Sequence, residues 1–283
     1  METSGMVDTH AHLSSEEFSE DLDVVLEHAA SVGVRAIVVV SQSLADARRV
    51  CEICRRGSSL TGMRETSAPA LLPAVGLHPV HVASLEDDEK LDMELRGLRQ
   101  LLEAERDQIV AIGEVGLDFS RWILPAGREE EVRARQRRAF REQLSWATEM
   151  DLPVSVHSRS AGHHALTELE TMKVSRACLH AFDGRAVYAE TAARKLGYFF
   201  SIPPSIVRSE QKQKLVSRVP LENLLLETDS PVLGPDVKTR NEPANVVRSL
   251  DMIAALRGVD REEIRQILWG NSLKAFPLLM RRR

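Results

Sequence analysis

Eight short apolar runs recur along the sequence, and a helical pattern follows nearly every one of them. The run RAIVVVS at residues 35–41 is typical, because continuous β-branched residues indicate a strand that is buried on both faces. Strands of this kind occur in parallel sheets that helices cover. The remaining runs predict strands over residues 6–12, 70–76, 108–114, 152–158, 176–182, 197–202 and 223–229.

Helical periodicity fills the intervals between these runs. In residues 19–33 the apolar positions lie three and four apart, and Gly33 closes the pattern. Further helices are predicted through Cys51 and Cys54, near 85–105, 128–150, 162–172, 184–196 and 209–217, and twice after Pro243. Eight strand and helix units in 283 residues are the pattern of an α/β fold, a slightly elaborated TIM (β/α)₈ barrel, with one domain over residues 1–283.

A doubly wound sheet is the competing fold, but no glycine-rich phosphate loop follows the first predicted strand. No apolar run is long enough to span a bilayer, and the first residues lack the features of a secretory signal. We therefore expect an intracellular protein of the cytoplasm or nucleus, neither secreted nor membrane-bound, and we assume a monomer. Residues 58–70 are predicted to form a surface loop.

Three cysteines, an odd number, argue against a disulfide framework, so Cys51 and Cys54 are predicted to be a reduced pair on a helix. The formal net charge of −5 argues against sequence-independent nucleic-acid binding through overall basic charge. The arginine-rich run at residues 132–142 is interpreted mainly as a solvated helix face.

Histidines and carboxylates stand at the carboxyl ends of the predicted strands. Barrel enzymes build their active sites on this face. A carboxylate at the end of an apolar strand is costly to bury unless it is paired or bound to a metal. These candidate metal ligands are His10, His12, Glu114, His157, His180 and Asp229.

The sequence VDTHAHL alone leaves two interpretations open, a metal-binding pair or ordinary polar decoration of a strand edge. Residues i and i+2 of a strand point to one face, so His10 and His12 can approach the same ion. Asp8 shares this parity but is expected one layer deeper in the barrel. The additional candidate ligands at other strand ends favour metal binding.

Four imidazoles and two carboxylates exceed the three protein ligands that are usual for one catalytic zinc. Two divalent ions divide them, with His10, His12 and Asp229 on the first ion and His157 and His180 on the second. Glu114, midway round the barrel, is expected to bridge them. Such pairs clamp the attacking and leaving oxygens of a hydrolysis. The ligand types suit Zn, Mn or, less well, Mg.

Seven motifs in succession resemble those of a known family. They are DTHAHL, GLHP (76–79), GEVGLDF (113–119), PVSVHSR (153–159), LHAFDG (179–184), ETDSPVLGP (227–235) and RNEP (240–243). Together they resemble the TatD-type deoxyribonucleases of the metal-dependent hydrolase superfamily, and most closely the eukaryotic TatD-domain paralogues. The resemblance implies a TIM barrel on which the same positions are metal ligands.

The resemblance also implies a substrate and a set of catalytic residues. It implies 3′-to-5′ exonuclease action on single-stranded DNA, endonuclease action at abasic sites, and a part in DNA repair or degradation. In the expected mechanism Asp229 orients the nucleophile or accepts its proton, while the metals and Arg159 or His78 balance charge on the phosphate. Glu114, Asp229, His78 and Arg159 are therefore the expected catalytic residues.

Two of these residues have competing interpretations. His78 is placed at the site by the resemblance, as a phosphate contact or proton donor, and a loop-capping role is the alternative. Arg159 is expected to pair either with a substrate phosphate or near Glu114. Trp122 is the only tryptophan placed where it could stack on a base.

The sequence departs from the family pattern at Phe119, Ser160 and Asp183, where Tyr, Asp, and Thr or Ser are common. No departure removes a ligand, but they put substrate preference in doubt. An amidohydrolase or esterase of the same superfamily is one alternative, although several of these bridge their metals through a carboxylated lysine where this chain has Glu114. A catalytically silent interaction protein is the other alternative.

Overall fold

The computed structural model describes residues 5–60 and 68–282. Eight parallel strands lie side by side in chain order and form a nearly closed barrel. This arrangement confirms the predicted TIM barrel. The strands are β1 (Met6–Ala11), β2 (Val34–Val40), β3 (Ala70–Val75), β4 (Ala111–Gly116), β5 (Val154–His157), β6 (Ala177–His180), β7 (Phe199–Ile202) and β8 (Leu224–Leu226).

Ten α-helices are formed by the described residues, and most of them cover the outside of the barrel. Their amphipathic faces bury leucine, valine and alanine against the strands. The helices are α1 (Leu22–Ser31), α2 (Leu44–Leu60), α3 (Pro79–Ser84), α4 (Asp88–Ala104), α5 (Glu129–Glu149), α6 (Gly162–Thr171), α7 (Ala186–Leu196), α8 (Glu210–Arg218), α9 (Val246–Arg257) and α10 (Arg261–Ala275).

Alternation along the strands divides the core into two layers. In β2, Val38 and Val40 belong to the inner layer within the barrel, whereas Ile37 and Val39 pack outward against the helices. Phe276, which follows α10, joins the inner layer. The interior of the barrel is therefore a packed core.

The barrel closes between β1 and the segment that follows β8. The Asp229 N–H donates to the carbonyl oxygen of His10 at 2.8 Å, and the His12 N–H donates to that of Ser230 at 2.8 Å. Deeper in the seam, the buried Asp8 carboxylate accepts hydrogen bonds from the Thr228 N–H at 2.9 Å and from its hydroxyl at 2.5 Å. Asp8 lies one layer below the histidines, as predicted from the sequence. Its hydrogen bonds to Thr228 also stabilise the seam, which was not predicted.

The element boundaries differ from the predictions in a few places. β4 begins at Ala111, later than predicted, so Glu114 lies within the strand. β8 ends at Leu226, which leaves Asp229 in the segment beyond it. The short helix α3, which precedes α4, was not predicted. Most of the predicted loop at 58–70 lies outside the described residues.

Cys51 and Cys54 are buried on α2 and neither forms a disulfide, in agreement with the predicted reduced pair. Within the described ranges, no helix is both long and apolar enough to cross a membrane.

Candidate metal centre

Glu114 lies at the centre of the site, and its two carboxylate oxygens face different histidines. Oε1 is 2.7 Å from His157 Nδ1 and 2.9 Å from His180 Nε2. Oε2 is 3.3 Å from His12 Nε2 and 3.4 Å from His10 Nε2. The four imidazoles are therefore divided into two pairs that share one carboxylate.

Asp229 completes the group formed by His10 and His12. Its Oδ1 is 3.3 Å from His12 Nε2 and 3.7 Å from His10 Nε2. Asp229 has a left-handed backbone with φ 55°, a conformation that costs an aspartate about 1 kcal/mol and recurs at functional sites. Ligand atoms of His10, His12 and Asp229 lie within 4.8 Å of one another, the first group predicted from the sequence.

His157 and His180, the second pair, lie closer to Glu114 than His10 and His12 do. His180 Nε2 lies 3.3 Å from His157 Nδ1, and both nitrogens face Glu114 Oε1. The rings of His10 and His180 stack at a centroid distance of 3.9 Å, which joins the two pairs into one cluster. All six predicted ligands are thus brought together at the carboxyl ends of the strands.

Each of these histidines turns its second ring nitrogen toward a polar partner outside the cluster. His157 Nε2 is 3.1 Å from Asp118 Oδ2, and His10 Nδ1 is 2.9 Å from Ser155 Oγ. The other two contacts are looser, at 3.7 Å from His180 Nδ1 to Glu227 Oε1 and at 3.5 Å from His12 Nδ1 to Gln42 Nε2. Metal-ligating histidines are commonly oriented in this way.

These outer hydrogen-bond partners of the histidines were not predicted from the sequence. Ser155 and Glu227 each lie two residues before a predicted ligand, so strand parity offered a signal for Ser155. Glu227 is fully buried and accepts hydrogen bonds from the Ala181 N–H at 2.8 Å and from the Ser201 hydroxyl. Asp118 stands in the GEVGLDF motif, but only the structure places its carboxylate against His157.

The cluster contains buried polar atoms without hydrogen bonds to the described part of the chain. They are His10 Nε2, His180 Nδ1 and Glu114 Oε2. Leaving such atoms unpaired is costly, and two of the three point into the centre of the cluster. Imidazole nitrogens and carboxylate oxygens are also the ligands that Zn and Mn prefer. The residues present therefore fit divalent cations.

Charge interactions within the cluster keep its carboxylates ionised and several of its histidines protonated. Burial opposes ionisation of Glu114, yet the surrounding His78, His180 and His10 hold its pKa well below the ordinary value. Burial likewise opposes a charged His12, but the neighbouring carboxylates of Asp229 and Glu114 raise its pKa to about 10. Without metals, carboxylates and protonated histidines therefore neutralise one another.

His78 differs from the other site histidines. It is the N-cap of α3, and its Nδ1 accepts a hydrogen bond from the Val80 N–H at 3.1 Å. The neutral ring then carries its proton on Nε2, which lies 3.3 Å from Glu114 Oε1. Burial lowers the pKa of His78 to about 4, so this neutral donor form prevails at neutral pH. His78 both caps the helix and faces the site.

Arg159 reaches the site through Asp118. Its guanidinium lies 3.7 Å from Asp118 Oδ2, on the carboxylate that orients His157. Burial opposes ionisation of Asp118, but hydrogen bonds from His157 and Ser120 lower its pKa to about 2. The Arg159 side chain remains 44% exposed and lines the cleft, so it can also contact a ligand.

A cleft of about 820 Å³ opens above the cluster. Its wall beside β1 and β2 carries Glu16, Glu17 and Asp46. Trp122 is 74% exposed and does not line this cleft. Much of the arginine-rich run on α5 forms surface ion pairs, as predicted for a solvated face, such as Arg133 with Glu130 and Arg138 with Asp92.

Comparisons with known proteins identify the family. A sequence model of the family described as TatD related DNase matches residues 7–277. The human protein named deoxyribonuclease TATDN3 is 41% identical over 276 residues, covering 97% of this chain and 96% of the human protein. The 3′-5′ ssDNA/RNA exonuclease TatD of Erwinia tasmaniensis is 29% identical and is covered completely, over 96% of this chain.

A solved structure agrees in fold and sequence. The crystal structure of YjjV, a TatD homologue from Escherichia coli K12, has a TM-score of 0.79 and 30% identity, covering 96% of this chain and 98% of that one. YjjV is named an uncharacterized metal-dependent hydrolase. The chain therefore belongs to the TatD-related DNase family and is a metal-dependent hydrolase that acts on ester bonds.

Proposed function

We propose that the chain is a two-metal deoxyribonuclease that hydrolyses DNA phosphodiester bonds. One observation carries the proposal: the two carboxylate oxygens of Glu114 each face a separate pair of imidazoles. The proposed first ion is held by His10, His12 and Asp229, and the second by His157 and His180, with Glu114 shared. Zn, Mn or Mg are the candidate ions.

Divalent ions bound there would lower the pKa of water and neutralise charge on a phosphoryl oxygen. The remaining steps fall to the side chains. Asp229 is proposed to orient the attacking water and accept its proton. His78 Nε2–H donates to a phosphate oxygen, which its fixed tautomer and neutral state favour. Arg159, already balanced by Asp118, contacts the same phosphate.

The proposed substrate is DNA, either a single-stranded end cut 3′-to-5′ or an abasic site cut internally, in DNA repair or degradation. The names of the human and Erwinia relatives support nuclease action. Two divalent ions would add four positive charges to a formal net charge of −5, and they supply the local attraction that the acidic chain lacks. We propose that the chain works in the cytoplasm or nucleus, and we assume a monomer.

The experiment is a cleavage assay with labelled single-stranded DNA and abasic duplex DNA, in the presence of Mg²⁺, Mn²⁺ or Zn²⁺. Glu114→Gln and Asp229→Asn should each lower turnover by at least about 10²-fold, the loss typical of a group that acts in the transition state. The exposed Glu89→Gln on α4 is the matched control and should cleave normally.

Undiminished cleavage by both site variants would contradict the mechanism. Hydrolysis of an acyl ester or amide without cleavage of DNA would favour the amidohydrolase or esterase alternative. If the metal-loaded protein hydrolyses none of these substrates, the catalytically silent interaction protein becomes the better account.

A further inference from the structure

A small compartment of about 90 Å³ adjoins the metal centre on the side of β5 and β6. His157, His180 and Asp229 form its inner wall. Its outer wall is formed by residues that the mechanism above uses only in part, namely Ser158, Arg159, Ala181, Asp183, Lys212 and Leu233. A ligand in the cleft can therefore extend from the centre into this compartment.

Ser158 offers an unused hydrogen-bonding group to the compartment. Its side chain is only 3% exposed, and its Oγ has no hydrogen-bond partner among the described residues. A buried hydroxyl without a partner destabilises the fold unless a ligand or water satisfies it. The serine therefore points to a polar ligand.

Lys212, on α8, supplies an unused positive charge. Its side chain is half-buried and makes neither a hydrogen bond nor an ion pair with any residue that the structure describes. Burial lowers the pKa of Lys212, although Glu227, Asp183 and Asp229 partly offset this effect. Lys214, on the same helix, is instead 73% exposed and lies 3.4 Å from Glu210.

The one acidic side chain on the outer wall is already engaged. Asp183 Oδ2 accepts a hydrogen bond from the Ser160 N–H at 3.1 Å, which fixes its carboxylate at the edge of the compartment. Ser160 and Asp183 are two of the three positions at which the sequence departs from the family pattern. Lys212 and Arg159 thus bring two positive charges toward the compartment, against this single carboxylate on the outer wall.

We propose that Ser158 and Lys212, in the compartment that Arg159 also lines, form a phosphate pocket that binds the phosphate group next to the one cleaved. The proposal rests on the proposed nuclease function. The Ser158 hydroxyl donates a hydrogen bond to this phosphate, and the Lys212 ammonium contacts its remaining oxygens. Arg159 lines both the cleft and the compartment, so it keeps its contact with the cleaved phosphate and adds positive charge between the two phosphates. The pocket makes the enzyme favour a chain of at least two phosphates over an isolated phosphodiester.

The test compares two substrates of the metal-loaded full chain. A short single-stranded oligonucleotide can fill the phosphate pocket, whereas bis(p-nitrophenyl) phosphate carries one phosphate and reaches only the metal centre. Lys212→Gln should raise KM for the oligonucleotide by about tenfold with kcat little changed, and should leave the small substrate unaffected. Ser158→Ala should act in the same direction but more weakly.

Two control variants separate charge from folding. Lys212→Arg keeps the charge and should restore most of the oligonucleotide KM, and Lys214→Gln should match the parent chain on both substrates. An unchanged oligonucleotide KM in Lys212→Gln, or equal losses on both substrates, would overturn the phosphate pocket.

A binding measurement keeps this inference separate from the proposed function. If the parent chain cleaves neither substrate and also leaves abasic duplex DNA intact, the nuclease proposal fails. In that case the affinity for a labelled oligonucleotide, measured by fluorescence anisotropy, still tests the phosphate pocket, because binding does not require cleavage. Lys212→Gln should bind about tenfold more weakly than Lys214→Gln, and equal affinities would overturn it.

Discussion

At the scale of single residues, the orientation of each imidazole matters as much as its position. His157 turns Nδ1 to Glu114 and Nε2 to Asp118, so the carboxylate of Asp118 fixes which nitrogen faces the centre. His78 has the opposite constraint, because the Val80 N–H occupies its Nδ1 and leaves a protonated Nε2. The same residue type is thereby prepared as a ligand in one place and as a donor in the other.

Replacing Asp118 tests the first of these assignments. Asp118→Asn removes the charge that holds the Nε2–H of His157, so affinity for one of the two proposed ions should fall by about 10- to 100-fold. Competition with a fluorescent zinc chelator measures the affinity. Asp251→Asn, which alters only an exposed pair with Arg261, is the control and should leave both affinities unchanged. Unaltered metal binding in Asp118→Asn would show that Asp118 does not orient His157.

Two replacements of His78 separate its capping and site functions. His78→Asn retains a helix N-cap, whereas His78→Ala loses it and should cost about 1 kcal/mol of unfolding free energy. Both should lower kcat by about 10²- to 10³-fold with unchanged metal content, because both lose the Nε2–H donor. Normal turnover in His78→Asn would reduce His78 to a capping residue.

At the scale of elements, α5 positions the loops that carry the site. Gln136 and Gln143 are fully buried on one face of this helix. Gln136 Oε1 accepts from the Asp118 N–H at 2.8 Å and its Nε2 donates to the Asp118 carbonyl at 3.0 Å. Gln143 Oε1 accepts from the Leu77 N–H at 2.7 Å, beside His78. The two glutamines therefore anchor the loops of Asp118 and His78.

Loss of the first glutamine should be felt at the metal centre. Gln136→Ala leaves a buried N–H and carbonyl of Asp118 unpaired, so the free energy of unfolding of the metal-free chain should fall by roughly 2 to 4 kcal/mol. Metal affinity should also fall, because the Asp118 carboxylate is no longer held against His157. Urea unfolding measures the first effect. A loss of stability below about 0.5 kcal/mol would contradict this anchoring.

The sequence predicted the strands, most of the helices and the convergence of the candidate ligands. Each of these follows from local features of the sequence, whereas the surroundings of the candidate ligands do not. A buried strand and a histidine at its end are both local features, so the sequence alone was enough to place His157 and His180. The contact between Asp118 and His157 depends on rotamers and on the register of β4 against β5. Gln136 belongs to an arginine-rich stretch of helix, and nothing local in that stretch shows that its amide turns inward.

At the scale of the whole molecule, three histidines of the metal centre and Asp8 in the barrel seam contribute to stability with the same pH dependence. In the metal-free chain, ion pairs with Glu114 and Asp229 raise the pKa of His12 to about 10 against the penalty of burial, and those of His157 and His180 also rise. Burial raises the pKa of Asp8, in the seam, to about 8. All of these groups bind protons more tightly in the folded state than in the unfolded one.

The sign of the effect follows from that proton binding. A raised folded pKa gives stability that is lost as pH rises through that value, so the metal-free Tm should fall between pH 7 and 10. Metal binding must displace the histidine protons, so apparent metal affinity should increase over pH 6 to 8. Thermal unfolding with and without chelator measures both trends. A metal-free Tm that rises toward pH 10 would contradict these shifts.

The most direct test of the shared carboxylate is the number of ions per chain. Elemental analysis of the metal-loaded protein, after removal of free metal, should give two ions for the parent chain. Glu114→Gln should retain one or fewer, because the amide cannot serve both groups of histidines. A single ion in the parent chain, or two ions retained in Glu114→Gln, would contradict a centre built around Glu114.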